Sequence, residues 1–380
     1  MKIKTLPRAH CGETFVSWMY RSAVNKNCPA VTLSDINDYV GSWRVGDLSI
    51  DVDFDLEAAP FATLCSSIGI DLRCAIPFFS LPCDTIALSY WFRYAYCAEC
   101  IDSDVKLFGF PYWRKEWCYV DCPCCLLHGR LLSILNDESH TDAHKPWRAF
   151  ANEENSLLDS SYRGAANKHH QPILPLRDNY ACRVQHFICS ARRNQSVYVP
   201  RSGCQVSSKH VLQCSNILLS TFLSVRTERW LGGIARQLVT EIPDKIYHRT
   251  YSKKSRMLLG VEEAIPYIRL VAILLVGWVF GIISDNELLR IKGYAEREYY
   301  WLPDSIKELG YLAASFGNEK EFIWYVNLFK PLSLDLKRGL LPFFLGVNVR
   351  YEEDMKSVLG YRKSAFGVES RDEQILRWLD

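Results

Sequence analysis

The sequence predicts a mainly α protein: an N-terminal helical domain with a helix-turn-helix outline, a zinc-finger (zinc-knuckle) module, and an α-helical C-terminal domain. Three observations predict this fold class. Apolar residues recur at helical spacing near the N-terminus, six of the fifteen cysteines fall within residues 97–125, and the second half contains several apolar or amphipathic stretches of helical length. They divide the chain into an N-terminal helical domain (1–94), a finger (95–135), a linker with a candidate degenerate second zinc module (136–214), and a C-terminal helical domain (215–380).

The first helix is predicted within residues 12–24, GETFVSWMYRSAV. Four side chains share one of its faces at helical spacing: Phe15, Trp18, Met19 and Ser22. This face is expected to pack into the core of the N-terminal domain.

A pair of helices is predicted over residues 61–81, with a turn at Ser66–Gly69 and with Asp71 at the start of the second helix. The second helix carries one cation, Arg73, whereas a helix that reads DNA bases usually presents several polar or basic side chains. We therefore expect this helix-turn-helix outline to serve protein contact more than base recognition.

The cysteine-rich block has the spacing of a zinc site. Zinc takes four ligands in a tetrahedron, and a C-x2-C pair supplies two of them from one tight turn. Cys97 and Cys100 form the first pair. The second pair is either Cys122 with Cys125, or Cys125 with His128, and spacing alone does not decide between them. Because the HExxH and HxE…PCxxC motifs of zinc enzymes are missing from the sequence, we expect a structural ion and not a hydrolase or deaminase.

The segment between the two halves of this site, PYWRKEW, contains Trp113 and Trp117. A small metal-binding unit has little core of its own, so we expect the two indoles to pack over the metal site.

The segment that follows, residues 136–180, is polar and aperiodic and predicts a loop or linker. After this segment, four irregularly spaced cysteines and two nearby histidines form the candidate second zinc site: Cys182, Cys189, Cys204, Cys214, His186 and His210.

The C-terminal half is predicted to be helical. One amphipathic helix is expected over residues 216–233, ended by Gly232-Gly233, and a last one over residues 371–380. The apolar run Leu270–Ile283 spans 14 residues, fewer than the roughly 18 that a membrane span needs, so we expect a buried helix and no membrane partner. The N-terminal residues lack the apolar region of a secretory signal, which predicts a reducing cytoplasm where clustered cysteines bind metals.

The formal net charge of +2 gives no strong overall field, so any nucleic-acid contact must come from a local patch. The best patch is residues 245–256, KIYHRTYSKKSR, with five Lys or Arg and two tyrosines, together with two arginines expected on the preceding helix. The predicted DNA contacts are Arg226, Arg229, Lys245, Arg249, Lys253, Lys254 and Arg256.

Three separated motifs occur in order along the chain. The first is LPRAHCGETFVSWMYRSA, residues 6–23; the second is the finger, with C-x2-C, WR-x2-W and C-x2-HG; the third is AIPYIRLVAILLVGWVFG, residues 264–281. Together they resemble the TniQ/TnsD family of transposon target-selection proteins. In that family, a gap of seven residues separates the second tryptophan from the ligand C-x2-H-G, and Trp117 and Cys125 have this gap. The resemblance therefore implies these zinc ligands: Cys97, Cys100, Cys125 and His128.

The resemblance also implies a function. Family members do not cut or join DNA; they select a target and recruit a AAA+ transposition regulator of the TnsC type. Some bind an attachment site directly, and others act with a CRISPR Cascade complex and its guide RNA, often as homodimers. We therefore expect a bacterial, nucleoid-associated adaptor without enzymatic activity, and the alternative is a stand-alone, zinc-dependent protein that binds a specific DNA site. The sequence has neither the GxxxxGK[ST] loop of nucleotide hydrolases nor a nuclease motif. This agrees with the adaptor and with the stand-alone DNA-binding protein. A second finger, which many members carry after the first, is missing from the residues that follow His128.

Overall fold

The structure, a computed structural model, describes residues 6–25, 31–42, 51–135, 143–158, 174–239, 246–248, 251–297 and 302–359. The chain forms two compact units. The first comprises Met1–Pro82 and Ala87–His169, and the second comprises Cys83–Ile86 and His170–Asp380. Apart from residues 83–86, the predicted helical domain and the predicted finger lie in the first unit, and the segment 136–214 is divided between the two units. The predicted helix over residues 371–380 lies outside the described residues.

The first unit contains short helices and two small antiparallel sheets. Its helices are α1 (Phe15–Val24), α2 (Leu33–Ser42), α3 (Ala59–Ile68), α4 (Leu72–Phe79), α5 (Ala98–Phe108) and α6 (Lys145–Leu158), with 3-10 turns at Tyr90–Phe92 and Lys115–Cys118. Strand β1 (Ala95–Tyr96) pairs with β4 (Ser133–Ile134), and β2 (Cys124–Cys125) pairs with β3 (Arg130–Leu131). The core of α1–α4 centres on Phe15, whose ring lies 5.7, 4.7 and 5.2 Å from the rings of Tyr39, Phe61 and Phe79.

The second unit is a helical assembly with one hairpin and one short parallel sheet. Its helices are α7 (Leu174–Arg193), α8 (Ser208–Leu223), α9 (Ile234–Gln237), α10 (Lys253–Glu262), α11 (Pro266–Phe280), α12 (Asp285–Arg297), α13 (Ile306–Ala313), α14 (Glu319–Asn327), α15 (Leu334–Gly339) and α16 (Leu341–Leu359). Strands β5 (Ser196–Val199) and β6 (Cys204–Ser207) form the antiparallel hairpin, and β7 (Arg226–Thr227) pairs in parallel with β8 (Ile246–Tyr247). The predicted mainly α class is confirmed.

Two helices, α3 and α4, occur in the region of the predicted helix-turn-helix outline, but the turn between them is shorter than the predicted Ser66–Gly69 because α3 continues to Ile68. Gly69 ends α3 in the left-handed conformation, with φ of 74°, which a glycine adopts without strain. The Asp71 carboxylate caps α4 by accepting a hydrogen bond from the backbone N–H of Arg73. A helix pair of this kind occurs in many α proteins, so the assignment to a DNA-binding class stays a prediction.

The predicted loop over residues 136–180 is wrong in part, because α6 and the start of α7 lie within it. Helix α6 forms where Trp147 packs edge-on to Phe110 and to Phe150, with ring centroids 5.9 Å apart in both pairs. The residues around Trp147 are mostly polar, so the sequence shows no helical periodicity of apolar residues in this segment.

The predicted end of the 216–233 helix is also wrong, since α8 ends at Leu223. The chain then turns back so that the N–H of Gly233 donates to the carbonyl of Ser224 at 2.6 Å. A Cβ at Gly233 would lie 2.2 Å from the carbonyl oxygen of Phe222, so this glycine permits a close approach of backbone and does not end a helix.

The apolar run of the sequence forms α11, which is buried along nearly its whole length and ends at Gly281 in the left-handed conformation. Among the described residues, no single helix is both long and apolar enough to cross a bilayer. Lys253–Glu262 and Pro266–Phe280 pass that test only as a pair, and they are bent by 120° where they meet.

Helices α13 and α16 cross at two glycines. A Cβ at Gly346 would lie 1.8 Å from the carbonyl oxygen of Lys307, and one at Gly310 would lie 2.0 Å from that of Phe343. The two backbones therefore touch directly, and no side chain fits between them.

Gly346→Ala is expected to destabilise the second unit by about 1–3 kcal/mol, because the new methyl group must push two backbones apart. The better helix propensity of alanine, about 1 kcal/mol, offsets only part of this loss. Scanning calorimetry on the full chain, with the transition of the second unit separated from that of the first, measures the shift. Gly317→Ala is the matched control, since its nearest neighbour would lie at an ordinary 3.4 Å. Equal melting temperatures for the two variants would contradict the direct backbone contact.

Candidate metal centre

The first two thiols of the site are positioned by the start of α5. Cys97 follows β1 with extended backbone angles and caps α5, and Cys100 lies in the first turn of that helix. Both side chains are buried, so the turn directs two thiols to one interior point.

The other two groups come from the β2–β3 hairpin. Cys125 ends β2, and His128 lies in the turn before β3. Gly129 takes the left-handed conformation, with φ of 63°, and its N–H donates to the carbonyl of Cys125 at 2.8 Å. This closed turn, which a glycine after the histidine favours, places a thiol and an imidazole side by side.

The four donor atoms form a compact group. Nδ1 of His128 lies 3.3, 3.4 and 3.5 Å from Sγ of Cys97, Cys100 and Cys125, and Sγ of Cys100 lies 3.5 Å from that of Cys125. All four atoms lie within 4.8 Å of one another. Metal–sulfur bonds of about 2.3 Å and a metal–nitrogen bond of about 2.0 Å give tetrahedral edges of roughly 3.5–3.8 Å. The spacing therefore matches what a tetrahedral metal ion requires, and these residues could bind one.

Charge is concentrated at this point. The pKa of the Cys125 thiol is held well below its ordinary value because the thiols of Cys100 and Cys97 donate hydrogen bonds to it. The pKa of Cys100 is raised to about 12, first because it shares its proton with Cys125. Nearby, Glu99 lies 3.4 Å from Sγ of Cys97 and pairs with Arg130 at 2.7 Å. A divalent cation would take the place of the protons that these thiols share, because a metal ion binds deprotonated thiols.

The structure distinguishes between the two ligand sets that spacing left open. Cys122 does not join the group, and its Sγ lies 3.6 Å from a carboxylate oxygen of Asp121. Cys118 is likewise elsewhere, with Sγ 3.7 Å from the carbonyl oxygen of Arg114. The set with one histidine, which the resemblance implied, is the one that the fold assembles.

The candidate second site does not form. In the part of the chain that the structure describes, no other group of three such side chains comes together. The residues concerned are spread over α7, β6 and α8: Cys182, Cys189, Cys204, Cys214, His186 and His210.

Both tryptophans of the finger are buried. Trp113 is fully buried, and its ring lies 5.4 Å from that of Trp117, edge to face. Between them, Arg114 forms a bidentate pair with Asp104 of α5, at 2.7 and 2.9 Å, and covers the Trp117 ring at 5.3 Å. This pair ties the tryptophan segment to the helix that carries Cys100.

The N-terminal motif pairs with the tryptophan segment, although about 100 residues of sequence separate them. The N–H of Thr14 donates to the carbonyl of Trp113 at 2.9 Å, and the N–H of Lys115 donates to that of Gly12 at 2.6 Å, in an antiparallel arrangement. The N–H of Trp113 in turn donates to Oγ of Ser17 on α1, at 2.9 Å. The N-terminal motif is thus bonded to the finger at three points.

A buried carboxylate holds the N-terminal motif together. Glu13 is fully buried and pairs with Arg21 at 2.7 Å. It also accepts hydrogen bonds from the backbone N–H of His10, at 2.9 Å, and from Oγ of Ser17, at 3.4 Å. The side chains of Glu13, Ser17 and Arg21 in GET-x2-SW-x2-R therefore have structural roles within the first unit.

A second buried charge network was not predicted. Arg93 and Asp53 are fully buried and pair at 3.0 Å, and Asp53 also accepts the N–H of Val16, in the first turn of α1, at 2.9 Å. Asp51 pairs with the same guanidinium. Lys145 is buried beside them, donates to the carbonyl of Arg93 at 3.3 Å, and has a pKa that burial lowers. A sequence signal existed, since Asp51 and Asp53 alternate with the apolar residues Val52 and Phe54, which are also buried.

Two of the predicted DNA contacts lie beyond the helix on which they were expected. Arg226 is half-buried in β7, and Arg229 is exposed in the turn that follows. Since α8 ends at Leu223, both belong to the loop after it.

The remaining predicted contacts differ in exposure. Lys253 and Arg256 are buried, so their side chains are not available to a DNA backbone, and Lys254 is exposed. Lys245 and Arg249 lie outside the described residues.

Comparison with known proteins finds no relative: no family model, no curated protein and no solved structure matches this chain.

Proposed function

We propose that this chain is a TniQ-like target-selection adaptor for DNA transposition, stabilised by a structural zinc ion. The observation that carries the proposal is the pairing of the N-terminal motif with the tryptophan segment of the finger. Two of the three motifs that carry the sequence resemblance contain these segments, and an incidental likeness would not require the segments to be bonded to each other.

The donor set supports zinc in a structural role. Three sulfur atoms and one imidazole nitrogen form a common structural zinc site, whereas catalytic sites keep one position for water. Here four protein groups surround one point and three of them are buried. The ion would hold α5 against the β2–β3 hairpin and take no part in a reaction.

The partners we propose are a TnsC-like AAA+ regulator, and either target DNA or a Cascade complex with its guide RNA; the adaptor would act as a homodimer. The helix pair α3–α4 favours protein contact over base recognition. The one cation of α4, Arg73, is exposed but pairs with Asp71 at 3.2 Å, so α4 offers no free basic side chain to a DNA groove.

The tagged chain, co-expressed with the AAA+ regulator encoded beside it, is expected to retain that regulator through nuclease digestion and washing, because the contact is between proteins. Addition of the neighbouring Cascade proteins and guide RNA tests the guided form in the same purification. A gel shift with a short duplex tests the alternative. Specific binding by the chain alone, lost in Arg73→Gln but kept in Lys106→Gln, together with no retained regulator, would overturn the adaptor in favour of a stand-alone DNA-binding protein. Lys106 is a suitable control because it is an exposed cation of α5 that also pairs with an aspartate.

A further inference from the structure

The second unit contains an open pocket of about 320 Å³ beside the β7–β8 sheet. We call it the loop pocket, and its lining residues are Arg226, Thr227, Glu228, Arg229, Trp230, Leu231, Ile246 and His248. Its volume is at the lower end of the range for small-molecule sites, about 300–1,000 Å³.

The loop pocket has unneutralised positive charge. In the described part of the chain, no carboxylate pairs with Arg226 or Arg229. Four other arginines of the second unit have such partners: Arg183 with Glu287, Arg201 with Asp285, Arg338 with Asp335, and Arg350 with Asp354. Among the described lining residues, Glu228 is the one carboxylate, and its oxygen lies 2.8 Å from Nδ1 of His248. Two guanidinium groups in a concave site are suited to an anion such as phosphate.

The loop pocket also has an aromatic wall in a fixed position. The backbone of Trp230 is held by two hydrogen bonds: the N–H of Thr227 donates to its carbonyl at 2.9 Å, and its own N–H donates to Oγ1 of Thr227 at 3.1 Å. The buried guanidinium of Arg256 lies 5.6 Å from the indole ring and is itself held by Ser315 at 3.2 Å. Arg229 lies over the same indole at 4.9 Å. An indole beside guanidinium groups that have no carboxylate partner in the described part of the chain suits a flat aromatic group linked to a negative charge, such as a nucleobase with its phosphate.

We propose that the loop pocket binds one nucleotide unit, with its phosphate on Arg226 and Arg229 and its base against Trp230. Leu231 and Ile246, which are 59% and 41% exposed, would cover the edge of the base and sugar. An acidic peptide would satisfy the arginines but leave these apolar walls open to water. The base must be unpaired, because a duplex does not expose base faces for stacking. This inference goes beyond the proposed function, since it concerns the second unit alone and requires neither the metal ion nor the regulator.

Phosphate next to an unpaired base occurs both in single-stranded nucleic acid and in a free mononucleotide. Fluorescence anisotropy of the full chain with a fluorescein-labelled single strand of 12 nucleotides, in competition with unlabelled dTMP and AMP, separates the two sources. The double variant Arg226→Gln, Arg229→Gln is expected to bind about tenfold or more weakly, because two phosphate contacts are lost. Trp230→Leu is expected to bind about five- to a hundredfold more weakly, and Trp230→Phe is expected to keep most of the affinity.

The matched controls are Lys330→Gln and Arg338→Gln, which remove cations of the same unit that do not line the pocket. They are expected to change the affinity less than twofold, and thermal unfolding checks that every variant is folded. Competition by the mononucleotides at comparable concentrations assigns the pocket to a free nucleotide, and competition by strands alone assigns it to single-stranded nucleic acid. Four results would overturn the proposal: no binding, equal losses in the double variant and the controls, equal competition by polyglutamate, or binding restricted to duplex.

Discussion

Replacement of His128 by alanine is expected to release the metal ion and unfold the finger, whereas replacement of Cys122 by serine is expected to leave both intact. A structural zinc ion contributes on the order of 10–16 kcal/mol to the folding of zinc-finger peptides. This contribution is as large as the whole free energy of unfolding of a typical native protein, which is roughly 5–15 kcal/mol. With three of four ligands, the site loses much of this contribution, and β2, β3 and α5 have little other apolar material to hold them together. Zinc per chain, measured by plasma mass spectrometry, and far-ultraviolet circular dichroism follow the two losses.

Two further observations keep this prediction testable if His128→Ala fails to fold. His128→Cys restores a sulfur donor at the same position, so we expect it to carry about one zinc ion per chain. Cys122 is a fair control because it is as buried as the three candidate thiol ligands, with only 2% of its surface exposed. Zinc kept in His128→Ala and lost in Cys122→Ser would show that the all-cysteine set is the correct one.

The finger was predictable because its parts are local. Cys97 with Cys100, and Cys125 with His128, each arise from one turn, and residue spacing reports on single turns. Spacing could not choose between Cys122 and His128, since the choice depends on how the β2–β3 hairpin folds over α5. The resemblance chose His128, and the geometry of the hairpin agrees.

The basic run over residues 245–256 was harder to interpret because charged residues are usually exposed. In α10, Lys253, Arg256, Met257 and Gly260 have helical spacing, and all four are buried. Burial lowers the pKa of Lys253 well below its ordinary value, while its ammonium group lies 5.7 Å from the rings of Phe316 and Tyr325. The position of two cations on the same helical face as Met257 was the signal in the sequence that they point inward.

The sequence signals the burial of Asp51 and Asp53, but the pairing of these residues with Arg93 could not be predicted because the partners are distant in sequence. Asp53 lies 37 residues from Val16 and 40 from Arg93, yet one carboxylate serves both. It supplies the N-terminal cap that α1 lacks, since the side chain of Thr14 makes no capping hydrogen bond. It also neutralises a guanidinium that lies 4.6 Å over the Phe54 ring, away from water. The position of α1, and with it the N-terminal motif against the finger, therefore depends on a buried ion pair.

Asp53→Ala is expected to destabilise the first unit by about 3–5 kcal/mol, because the buried guanidinium of Arg93 would keep only one of its two carboxylate partners. Arg93 would retain Asp51, whose side chain is 25% exposed, while the ammonium group of Lys145 stays buried nearby. Asp53→Asn should lose less, since the amide oxygen can still accept from the N–H of Val16.

Asp71→Ala is the matched control, because Asp71 also caps a helix and pairs with an arginine, but on the surface. Loss of an exposed helix cap costs about 1 kcal/mol. The additional destabilisation of Asp53→Ala over Asp71→Ala should therefore come from the burial of the Asp53–Arg93 ion pair. Since the chain has two units, a single unfolding curve would mix their transitions. Hydrogen exchange followed by mass spectrometry reports on α1 separately. Protection of its amides should fall by two orders of magnitude or more in Asp53→Ala, at about 1.4 kcal/mol per factor of ten, and should stay near the wild-type value in Asp71→Ala. Equal loss of α1 protection in the two variants would show that α1 is held by its apolar face and that the Asp53–Arg93 pair contributes little.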